Sequence, residues 1–566
     1  MQMKRYLKYL RGAVAAAMVV SVFCYAARND FGLGRNMEIL LNIMRELTVN
    51  YVDEVDPDKL AKDAAAGMMR SLDPYTEYWP EAEMTDFEMM TTGKYGGVGS
   101  LIRKRGDWVV VAQPYKGTPS DKAGLKIGDK IVAIDGEDAR GFSTEDVSKR
   151  LKGDPGSTVR VTVEKLVGGQ VETVTLRRER IVIPSIPYAG YIGNGIAYIR
   201  HDDFTEDSSR EMRATIQRLQ REQPLRGIIL DYRSNGGGIM EEAVKILSLF
   251  VPRGTEVLSM RGRVAAICRT HRTDADPIVP DSVPVAVLIN ENTASSSEIV
   301  AGALQDLDRA VIVGQRSFGK GLVQSTRPVG YNGFVKLTTA KYYTPSGRCV
   351  QAIDYSGHSS DGSARTIPDS LTHEFRTAHG RTVRDGGGIT HDVKTKPEDM
   401  GRFAMTLYAG GHIDDFGDEY FKLHFDDDID NRTFAITDAD YEWFCRFMAD
   451  RDVAYESDTR RTLNSLRKAV ESDMFDDDLK PVIESFESQI RDDKQTNLAR
   501  YRTEIARMID NDIVLRHSYA AGAAEHNLMY DNDVKRAAEL LGDRAEYDRL
   551  LAPGAEEIQD SESKTK

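Results

Sequence analysis

The feature that most constrains the fold is an apolar run from Val283 to Ile289, which leads into a turn of small residues and then a helical pattern. The run has the length of a strand and no polar alternation, which is typical of a strand buried on both faces. Small and hydroxyl residues occupy 293–297, and apolar residues then recur three and four positions apart: Ile299, Val300, Ala303, Leu304 and Leu307. The pattern predicts a layered α/β core with a sharp strand-to-helix turn.

The turn carries three consecutive serines, Ser295, Ser296 and Ser297. A serine at a sharp turn between a strand and a helix stands clear of the sheet, and the amides of the helix N-terminus point outward beside it. This placement suits a nucleophile next to an oxyanion hole. Spacing alone favours the simpler interpretation, in which the hydroxyl groups cap the helix.

A candidate general base lies downstream, where Lys320 stands between two glycines in Ser317-Phe318-Gly319-Lys320-Gly321. Flanking glycines allow the lysine to approach another backbone closely, and burial of its amine would favour the neutral form. A neutral lysine can take the proton of a serine hydroxyl. Gln324 follows at an even spacing, so a strand would place it on the same face as Lys320, where its amide could orient the amine.

Three blocks of this region, ASSSEIVAGALQD, SFGKGLVQ and KLTTAKYYTPSGRCVQ, resemble the signature of the C-terminal processing peptidases, also called tail-specific proteases. Matched residue by residue, the resemblance implies that Ser295 is the nucleophile, Lys320 the general base and Gln324 its orienting partner. The family usually alternates serine with glycine and alanine at this turn, whereas this chain has two further serines, Ser296 and Ser297. The choice of Ser295 therefore depends on alignment through Ser297-Glu298-Ile299.

A glycine-rich loop is the candidate for the oxyanion hole. A predicted strand, Arg226 to Tyr232, leads into Arg233-Ser234-Asn235-Gly236-Gly237-Gly238. In the family this loop reads asparagine-proline-glycine-glycine and supplies a backbone donor, and here Gly236 replaces the proline. The resemblance leaves Gly237 and Gly238 as alternatives, of which Gly237 is preferred, with the amide of Ser296 as the second donor.

From Tyr95 to about Leu166 the sequence pattern changes to short predicted strands separated by glycine turns, and this region resembles a PDZ domain. Gly96, Gly97, Val98 and Gly99 occupy the place of the carboxylate-binding loop. Consecutive amides there can cradle a terminal carboxylate, and the adjoining strand edge can accept a peptide as an added strand. The resemblance implies protein substrates with apolar C-termini, held between that strand and a helix over 143–151.

The N-terminus has the pattern of an export signal. Basic residues (Lys4, Arg5, Lys8 and Arg11) precede an apolar run from Gly12 to Ala27. Cleavage would release a periplasmic protein, and an uncleaved leader would anchor it to the inner membrane; both alternatives remain open. Contact with the membrane is expected only in the second case.

The fold class is therefore predicted as multidomain α+β: an α/β layered serine-protease core with an inserted PDZ domain, an N-terminal helical segment and a C-terminal helical extension. The helical extension resembles that of tail-specific proteases from Bacteroides-like bacteria, and a role in forming a homodimer or in gating substrate is expected. The predicted domains are a leader (1–27), a helical segment (28–93), a PDZ domain (94–180), a peptidase core (181–398), a helical domain (399–551) and a disordered tail (552–566).

Composition excludes several other classes of protein. The net charge of −14 over 566 residues argues against nucleic acid as a partner. Four cysteines (Cys24, Cys268, Cys349 and Cys445) are too few for a disulfide scaffold, and their pairing cannot be deduced. His391-Asp392 and the acidic run 426–428 lack the spacing of metal ligands, so no metal or cofactor is predicted.

The resulting prediction is an exported serine endopeptidase with a Ser295–Lys320 dyad, which cleaves proteins selected by their C-termini and is open to control by a regulatory adaptor. Three alternatives remain. A Ser/His/Asp triad would use His201-Asp202-Asp203 or His271 as the base. A catalytically silent scaffold would only bind tails through the PDZ groove. A Ser/Lys amidase or esterase would act on small substrates. The PDZ domain argues against this alternative, because a small substrate has no C-terminal tail for it to bind.

Overall fold

The computed structural model describes residues 32–358, 364–396, 400–473, 476–554 and 558–559. The predicted leader and most of the predicted tail lie outside these residues. The described residues form two compact units: one comprises those up to Met84 together with Gln324–Thr338, and the other comprises those of Thr85–Val323 and those from Thr339 onward. Within the described ranges, every helix is either too short or too polar to cross a membrane.

The N-terminal segment is helical, as predicted. α2 begins where the Asp56-Pro57-Asp58 pattern predicts a helix start: the Asp56 carboxylate accepts hydrogen bonds from the amides of Asp58 and Lys59 at 2.9 and 3.3 Å. The elements of this segment are α1 (32–50), α2 (Pro57–Met69), β1 (Glu77–Trp79) and α3 (Met84–Thr92).

The predicted PDZ domain is a small antiparallel sheet with two short helices, and its core consists mainly of buried valine and isoleucine side chains. The strand order is β3-β4-β5-β7-β8, so β3 lies at an edge, and β2 and β9 form a separate ribbon. Its elements are β2 (Lys94–Gly97), β3 (Ser100–Arg105), β4 (Trp108–Pro114), α4 (Pro119–Lys122), β5 (Lys130–Ile134), β6 (Glu137–Asp138), α5 (Thr144–Leu151), β7 (Thr158–Glu164), β8 (Val171–Arg177) and β9 (Glu179–Val182).

The core domain alternates strands and helices, as the apolar pattern predicts. The predicted buried strand forms at Val285–Ile289, and all five of its residues are buried. The elements are β10 (Tyr188–Gly193), β11 (Ile196–Arg200), α6 (Ser208–Glu222), β12 (Gly227–Asp231), α7 (Met240–Leu247), β13 (Glu256–Gly262), β14 (Arg269–Arg272), β15 (Val285–Ile289), α8 (Ser296–Asp306), β16 (Val311–Gly314), β17 (Leu322–Gly330), β18 (Gly333–Tyr343), β19 (Ile353–His358), β20 (Ala364–Thr366), β21 (Glu374–Arg376), β22 (Thr382–Arg384) and β23 (Val393–Lys394).

The C-terminal region is helical until a final short strand. One cluster of buried aromatic and aliphatic side chains holds α9, α10, α11, α14 and α15 together. The elements are α9 (Arg402–Ala409), α10 (His412–His424), α11 (Asp438–Phe447), α12 (Asp458–Ser472), α13 (Asp476–Gln489), α14 (Lys494–Arg500), α15 (Arg502–Asn527), α16 (Asn532–Gly542), α17 (Arg544–Leu550) and β24 (Ile558–Gln559).

The central sheet has the order β10-β11-β12-β15-β16-β23-β24, parallel except for β10. Side chains of α6, α7 and α8 cover one face. The other face is covered by α16 and α17, through Val534, Leu540 and Tyr547 among others. These two helices lie within the predicted C-terminal helical domain (399–551). They pack on the core because a sheet buried on both faces needs helices on both sides.

The first compact unit contains a short antiparallel pairing of its own. Glu77, Tyr78 and Trp79 of β1 pair with Lys336, Val335 and Phe334 of β18. Gln324, on β17, also belongs to this unit, and its Nε2 donates to Thr338 Oγ1 at 3.1 Å.

Candidate active site

The three serines lie where β15 turns into α8, and their environments differ. Ser295 has φ 57° and ψ −116°, a backbone conformation that is strained for a residue with a side chain. Ser295 is half-buried, whereas Ser296 and Ser297 are buried. The strain occurs at the residue that the sequence predicts as the nucleophile, as expected for a sharp strand-to-helix elbow.

The hydroxyl groups of Ser296 and Ser297 fasten the helix start to the glycine-rich loop. Ser296 Oγ donates to the carbonyl of Gly238 at 2.9 Å, and Ser297 Oγ donates to the carbonyl of Asn235 at 3.0 Å. The amide of Ala294 donates to the same Asn235 carbonyl at 3.0 Å. Because both flanking hydroxyls are buried and engaged, Ser295 is the serine of the three whose side chain reaches solvent.

A buried carboxylate connects the serine turn to the lysine turn. Glu298 has no exposed surface, and its Oε2 accepts hydrogen bonds from the amides of Ser295 and Lys320, both at 2.8 Å. Its Oε1 accepts from the amide of Gly319 at 2.7 Å and from Ser317 Oγ at 2.6 Å. Burial raises the pKa of Glu298, and the four hydrogen bonds oppose that effect by favouring the carboxylate.

The turn that carries Lys320 is held on both sides by backbone contacts. The carbonyl of Gly319 accepts from the amide of Ala352 at 2.9 Å, and the amide of Gly321 donates to Gln351 Oε1 at 2.7 Å. Gly319 has φ +87°, and a Cβ on it would collide with Ala352. The glycines around Lys320 therefore permit the close backbone approach that the sequence predicts, and the lysine itself is half-buried.

Gln324 lies three residues beyond this turn's Gly321. It belongs to the first compact unit, with its side chain bonded to Thr338, while Lys320 belongs to the second. Its role in orienting the lysine therefore stays a prediction.

The glycine-rich loop lies directly against the serine turn. A Cβ on Gly237 would be 2.7 Å from Ser295 Cβ and 2.8 Å from the amide nitrogen of Ser296. The Gly237 amide, however, donates to Asn235 Oδ1 at 2.8 Å, so this expected oxyanion donor already has an acceptor. The amides of Ser296 and Gly238 have no hydrogen-bond acceptor within the described residues. A Cβ on Gly238 would face the carbonyl of Phe204 at 2.5 Å, away from Ser295.

Two residues that sequence reasoning did not single out organise this site: Glu298 and Asn235. Glu298 served there only to align the motif. The sequence nevertheless carried a signal for it, because a serine followed three residues later by glutamate is the pattern of a capping box. Asn235 gave no comparable signal, because its role depends on contacts with residues that are distant in sequence. Its buried side-chain amide donates to the carbonyl of His201 at 2.6 Å.

The histidines proposed for an alternative triad have other surroundings. His201 is buried, and its ring packs on Phe204 and Tyr232 with centroids 4.5 and 5.4 Å apart. Burial lowers the pKa of His201 to about 3, so it is a poor proton acceptor at neutral pH. His271 lies on β14, in the sheet with β13. Among the described residues, no group of histidine, cysteine and carboxylate side chains has the arrangement of a metal site.

The predicted PDZ domain has a groove between β3 and α5. A cavity of about 340 Å³ there is lined mainly by apolar side chains, among them Val98, Ile102 and Leu151. Gly96 and Gly97 pair with Arg180 and Glu179 in the β2–β9 ribbon. The amides of Val98 and Gly99 have no acceptor within the part of the chain that the structure describes. Of the four predicted loop residues, these two therefore present open donors at the end of the groove.

Gly99 must be a glycine, because it has φ +76° and a Cβ on it would collide with the side chain of Thr118. The carbonyl of Gly99 accepts from Thr118 Oγ1 at 2.8 Å, and the carbonyl of Val98 accepts from the amide of Ser120 at 2.9 Å. These contacts hold both carbonyls on the inner side of the loop.

Three family models match separate parts of the chain. "Peptidase family S41" matches residues 195–358, "PDZ domain" matches 110–165, and "Probable PDZ-protease, C-terminal helical domain" matches 403–541. These matches confirm the predicted combination of a peptidase core, a PDZ domain and a C-terminal helical domain.

Individual proteins are similar over most of their length. The "Carboxy-terminal-processing protease" of Bartonella bacilliformis is 34% identical over 344 residues, which cover 60% of this chain and 78% of that protein. The "Probable CtpA-like serine protease" of Staphylococcus aureus (strain COL) is 31% identical over 354 residues, 61% of this chain and 70% of that protein. Among solved structures, the "Photosystem II D1 C-terminal processing protease" is 26% identical and covers 63% of this chain and 87% of its own, with a TM-score of 0.34.

Proposed function

Since this chain belongs to the carboxy-terminal-processing proteases of peptidase family S41, we propose that it is an exported serine endopeptidase with a Ser295–Lys320 dyad, which selects proteins by their C-terminal tails. The observation that carries the proposal is the shared hydrogen-bond acceptor: Glu298 Oε2 receives the amides of both proposed catalytic residues at 2.8 Å. A carboxylate that holds both backbones keeps the serine and the lysine in a constant relation.

In the proposed reaction, Ser295 Oγ attacks the carbonyl carbon of the scissile peptide bond while Lys320 Nζ takes the hydroxyl proton. Collapse of the tetrahedral intermediate breaks the C–N bond, and Lys320 returns the proton to the leaving amine. A water molecule then attacks the acyl-enzyme ester, with Lys320 as the base again, and Ser295 is regenerated. Gln324 is proposed to orient the lysine amine.

The oxyanion of each intermediate is proposed to bind to the amide of Ser296 and to that of Gly237. The Ser296 amide has no acceptor among the described residues and lies at the N-terminus of α8, where the helix dipole favours negative charge. Gly237 lies nearer to Ser295 than Gly238 does, and its amide becomes available once it leaves Asn235 Oδ1.

The PDZ domain is proposed to select the substrate. The open amides of Val98 and Gly99 suit a terminal carboxylate, and the apolar cavity between β3 and α5 suits the last side chains of an apolar tail. The backbone edge of β3 would accept the tail as an added strand. Recognition by tail brings a protein chain to the dyad without demanding a particular sequence at the cleavage site.

We further propose a periplasmic location, with the predicted leader either cleaved or retained as an inner-membrane anchor. A homodimer and a regulatory adaptor are proposed partners. Fractionation of cells into periplasm and membrane, with N-terminal sequencing of the purified protein, tests the location. Recovery of the protein in the cytoplasm with an intact N-terminus would contradict export.

The function is tested with an unfolded protein that ends in apolar residues, offered with either a free or an amidated C-terminus. The wild type is compared with Ser295→Ala and Lys320→Ala, and Ser296→Ala serves as the matched control because it keeps the amide proposed for the oxyanion. We expect cleavage of the free-tailed substrate only, lost in the first two variants and retained in the control.

Each alternative predicts a different result. Cleavage that survives Ser295→Ala would remove Ser295 as the nucleophile. Equal cleavage of both substrates would exclude selection by the tail. Binding of the free tail without any cleavage, and without labelling by a covalent serine probe, would show a silent scaffold.

A further inference from the structure

Among the described residues, side chains of the C-terminal helical domain reach the PDZ domain at β3 and at α4. This strand is the edge of the PDZ sheet and forms one wall of the groove. The first contact involves the C-terminal end of β3, and the second involves the turn that holds the loop preceding β3. Each uses side chains that are far apart in sequence.

The first contact is a cluster of ion pairs at the C-terminal end of β3. Arg103 pairs with Asp414, and Arg105 pairs with both Asp415 and Asp418 on α10. The backbone of the PDZ domain also approaches α10 there, since a Cβ on Gly128 would lie 2.9 Å from Asp418 Oδ1.

Two of these carboxylates also pair with a buried arginine within the helical domain. Arg516 of α15 has no exposed side-chain surface and pairs with Asp414 and Asp512 at 2.7 Å, and also with Asp418. Buried charge of this kind is stable only when paired and hydrogen-bonded. The acidic side of the interface is therefore tied to the interior of the helical domain, and it meets two arginines on one face of β3.

The second contact comes from a kink in α15. Tyr519 has φ 58° and ψ −166° within this helix, a conformation that costs free energy and persists only when its surroundings impose it. Its hydroxyl donates to Asp121 Oδ1 at 3.1 Å and accepts from Lys126 Nζ at 3.2 Å. The Lys126 ammonium also lies 5.6 Å from the centre of the tyrosine ring.

Asp121 is on α4, which supports the loop that precedes β3. Thr118 and Ser120 of the same turn donate to the carbonyls of Gly99 and Val98. The contact of Tyr519 is thus one residue away from the groups that hold the proposed carboxylate-binding loop. The two contacts secure β3 at its C-terminal end and at the loop before its N-terminal end.

We propose that the C-terminal helical domain braces the ligand-accepting strand β3 at both ends and thereby sets the affinity of the PDZ groove for protein tails. The inference rests on the proposed function only in that the groove binds tails. It assigns a function to a domain outside the PDZ fold. The physical reason is that an edge strand that accepts a peptide loses less conformational entropy on binding when it is already held in place.

The test uses the full chain with Ser295→Ala, so that no readout depends on catalysis. Arg103→Gln with Arg105→Gln removes the first contact, and Tyr519→Phe removes the hydroxyl of the second while keeping the ring. Arg140→Gln with Arg160→Gln is the matched control, which removes the same charge from exposed positions of the PDZ domain. Amide hydrogen exchange of 98–105 and the Kd of a fluorescent peptide with a free apolar C-terminus are measured.

We expect exchange of 98–105 to accelerate by about tenfold and the Kd to rise by roughly fivefold in both test variants, with the control unchanged. Arg103→Lys with Arg105→Lys should restore most of the affinity, which a loss of folding would not allow. Wild-type exchange and affinity in both test variants would overturn the brace. A wild type that binds no tail, with accelerated exchange in the variants, would instead contradict tail recognition while leaving the brace intact.

Discussion

The amides of Ser295 and Lys320 donate to the same atom, Oε2 of Glu298, and both hydrogen bonds are 2.8 Å long. The two residues are on separate turns, one at the start of α8 and one between β16 and β17. A displacement of either turn would break a hydrogen bond to a buried charge, which costs more than an ordinary surface bond. The geometry between the proposed nucleophile and base is therefore under the control of one carboxylate.

Glu298→Gln should disable the enzyme although it changes little volume. Each carboxylate oxygen accepts two hydrogen bonds, and an amide would replace one acceptor by an NH₂ group facing two donors. We expect turnover to fall by about 100-fold through misplacement of the proposed dyad, and the free energy of unfolding to fall by about 2 kcal/mol. The rate of labelling by a covalent serine probe and urea unfolding are the measurements. Glu291→Gln, an exposed change near the same turn, is the control, and a Glu298→Gln enzyme labelled at the wild-type rate would contradict the argument.

Gly237→Ala should abolish activity, whereas Gly236→Ala should be tolerated. A Cβ at Gly237, which has φ +100°, would lie 2.7 Å from Ser295 Cβ, while a Cβ at Gly236 would meet nothing within 4 Å. We expect turnover to fall by at least about 100-fold in the first variant, as for loss of an oxyanion donor, and by less than about threefold in the second. Steady-state cleavage of a tailed substrate measures both. Equal activity of the two variants would show that Gly237 does not approach the reacting atoms.

The sequence predicted those parts of the site that depend on local pattern. The buried strand follows from an unbroken apolar run, α8 follows from apolar periodicity, and the glycines around Lys320 indicated a close backbone approach. The burial of Glu298 could not be predicted, because three of the donors that make a buried carboxylate stable lie on another turn, at 317–320. Likewise, the apolar stripe of α16 shows that one face is buried without showing that the central sheet covers it.

Ser297→Ala should weaken the fold and spare the chemistry. Its hydroxyl is buried and donates to the carbonyl of Asn235, so its removal leaves that acceptor with only the amide of Ala294. We expect a loss of about 1 kcal/mol in the free energy of unfolding and near-normal labelling by the serine probe. Ser295→Ala is the counterpart, and labelling should be abolished in it. Its stability should be unchanged or higher, because the hydroxyl that it removes is only half-buried. If labelling disappeared in Ser297→Ala while the protein stayed folded, Ser297 would have to be the nucleophile in place of Ser295.

The buried His201 lies against the glycine-rich loop 233–238, since its carbonyl accepts from Asn235 Nδ2 at 2.6 Å. Its ring packs edge-on against Phe204 and Tyr232, and burial lowers its pKa from 6.5 to about 3. Between these two values the unfolded chain binds a proton that the folded chain excludes. Stability should therefore fall as the pH drops below 6.5.

From pH 8 to pH 5 this one group should lower the free energy of unfolding by about 2 kcal/mol. His201→Leu keeps an apolar side chain against the two aromatic rings and removes the proton-binding group. The pH dependence of its stability should therefore be flatter than that of the wild type by this amount. Urea unfolding at the two pH values measures the difference. His373→Leu, at a side chain with 78% of its surface exposed, controls for the loss of a histidine as such. If His201→Leu and the wild type lost the same stability on acidification, the ring of His201 would have to be protonated in the folded protein, and the apolar packing beneath the loop could not be as described.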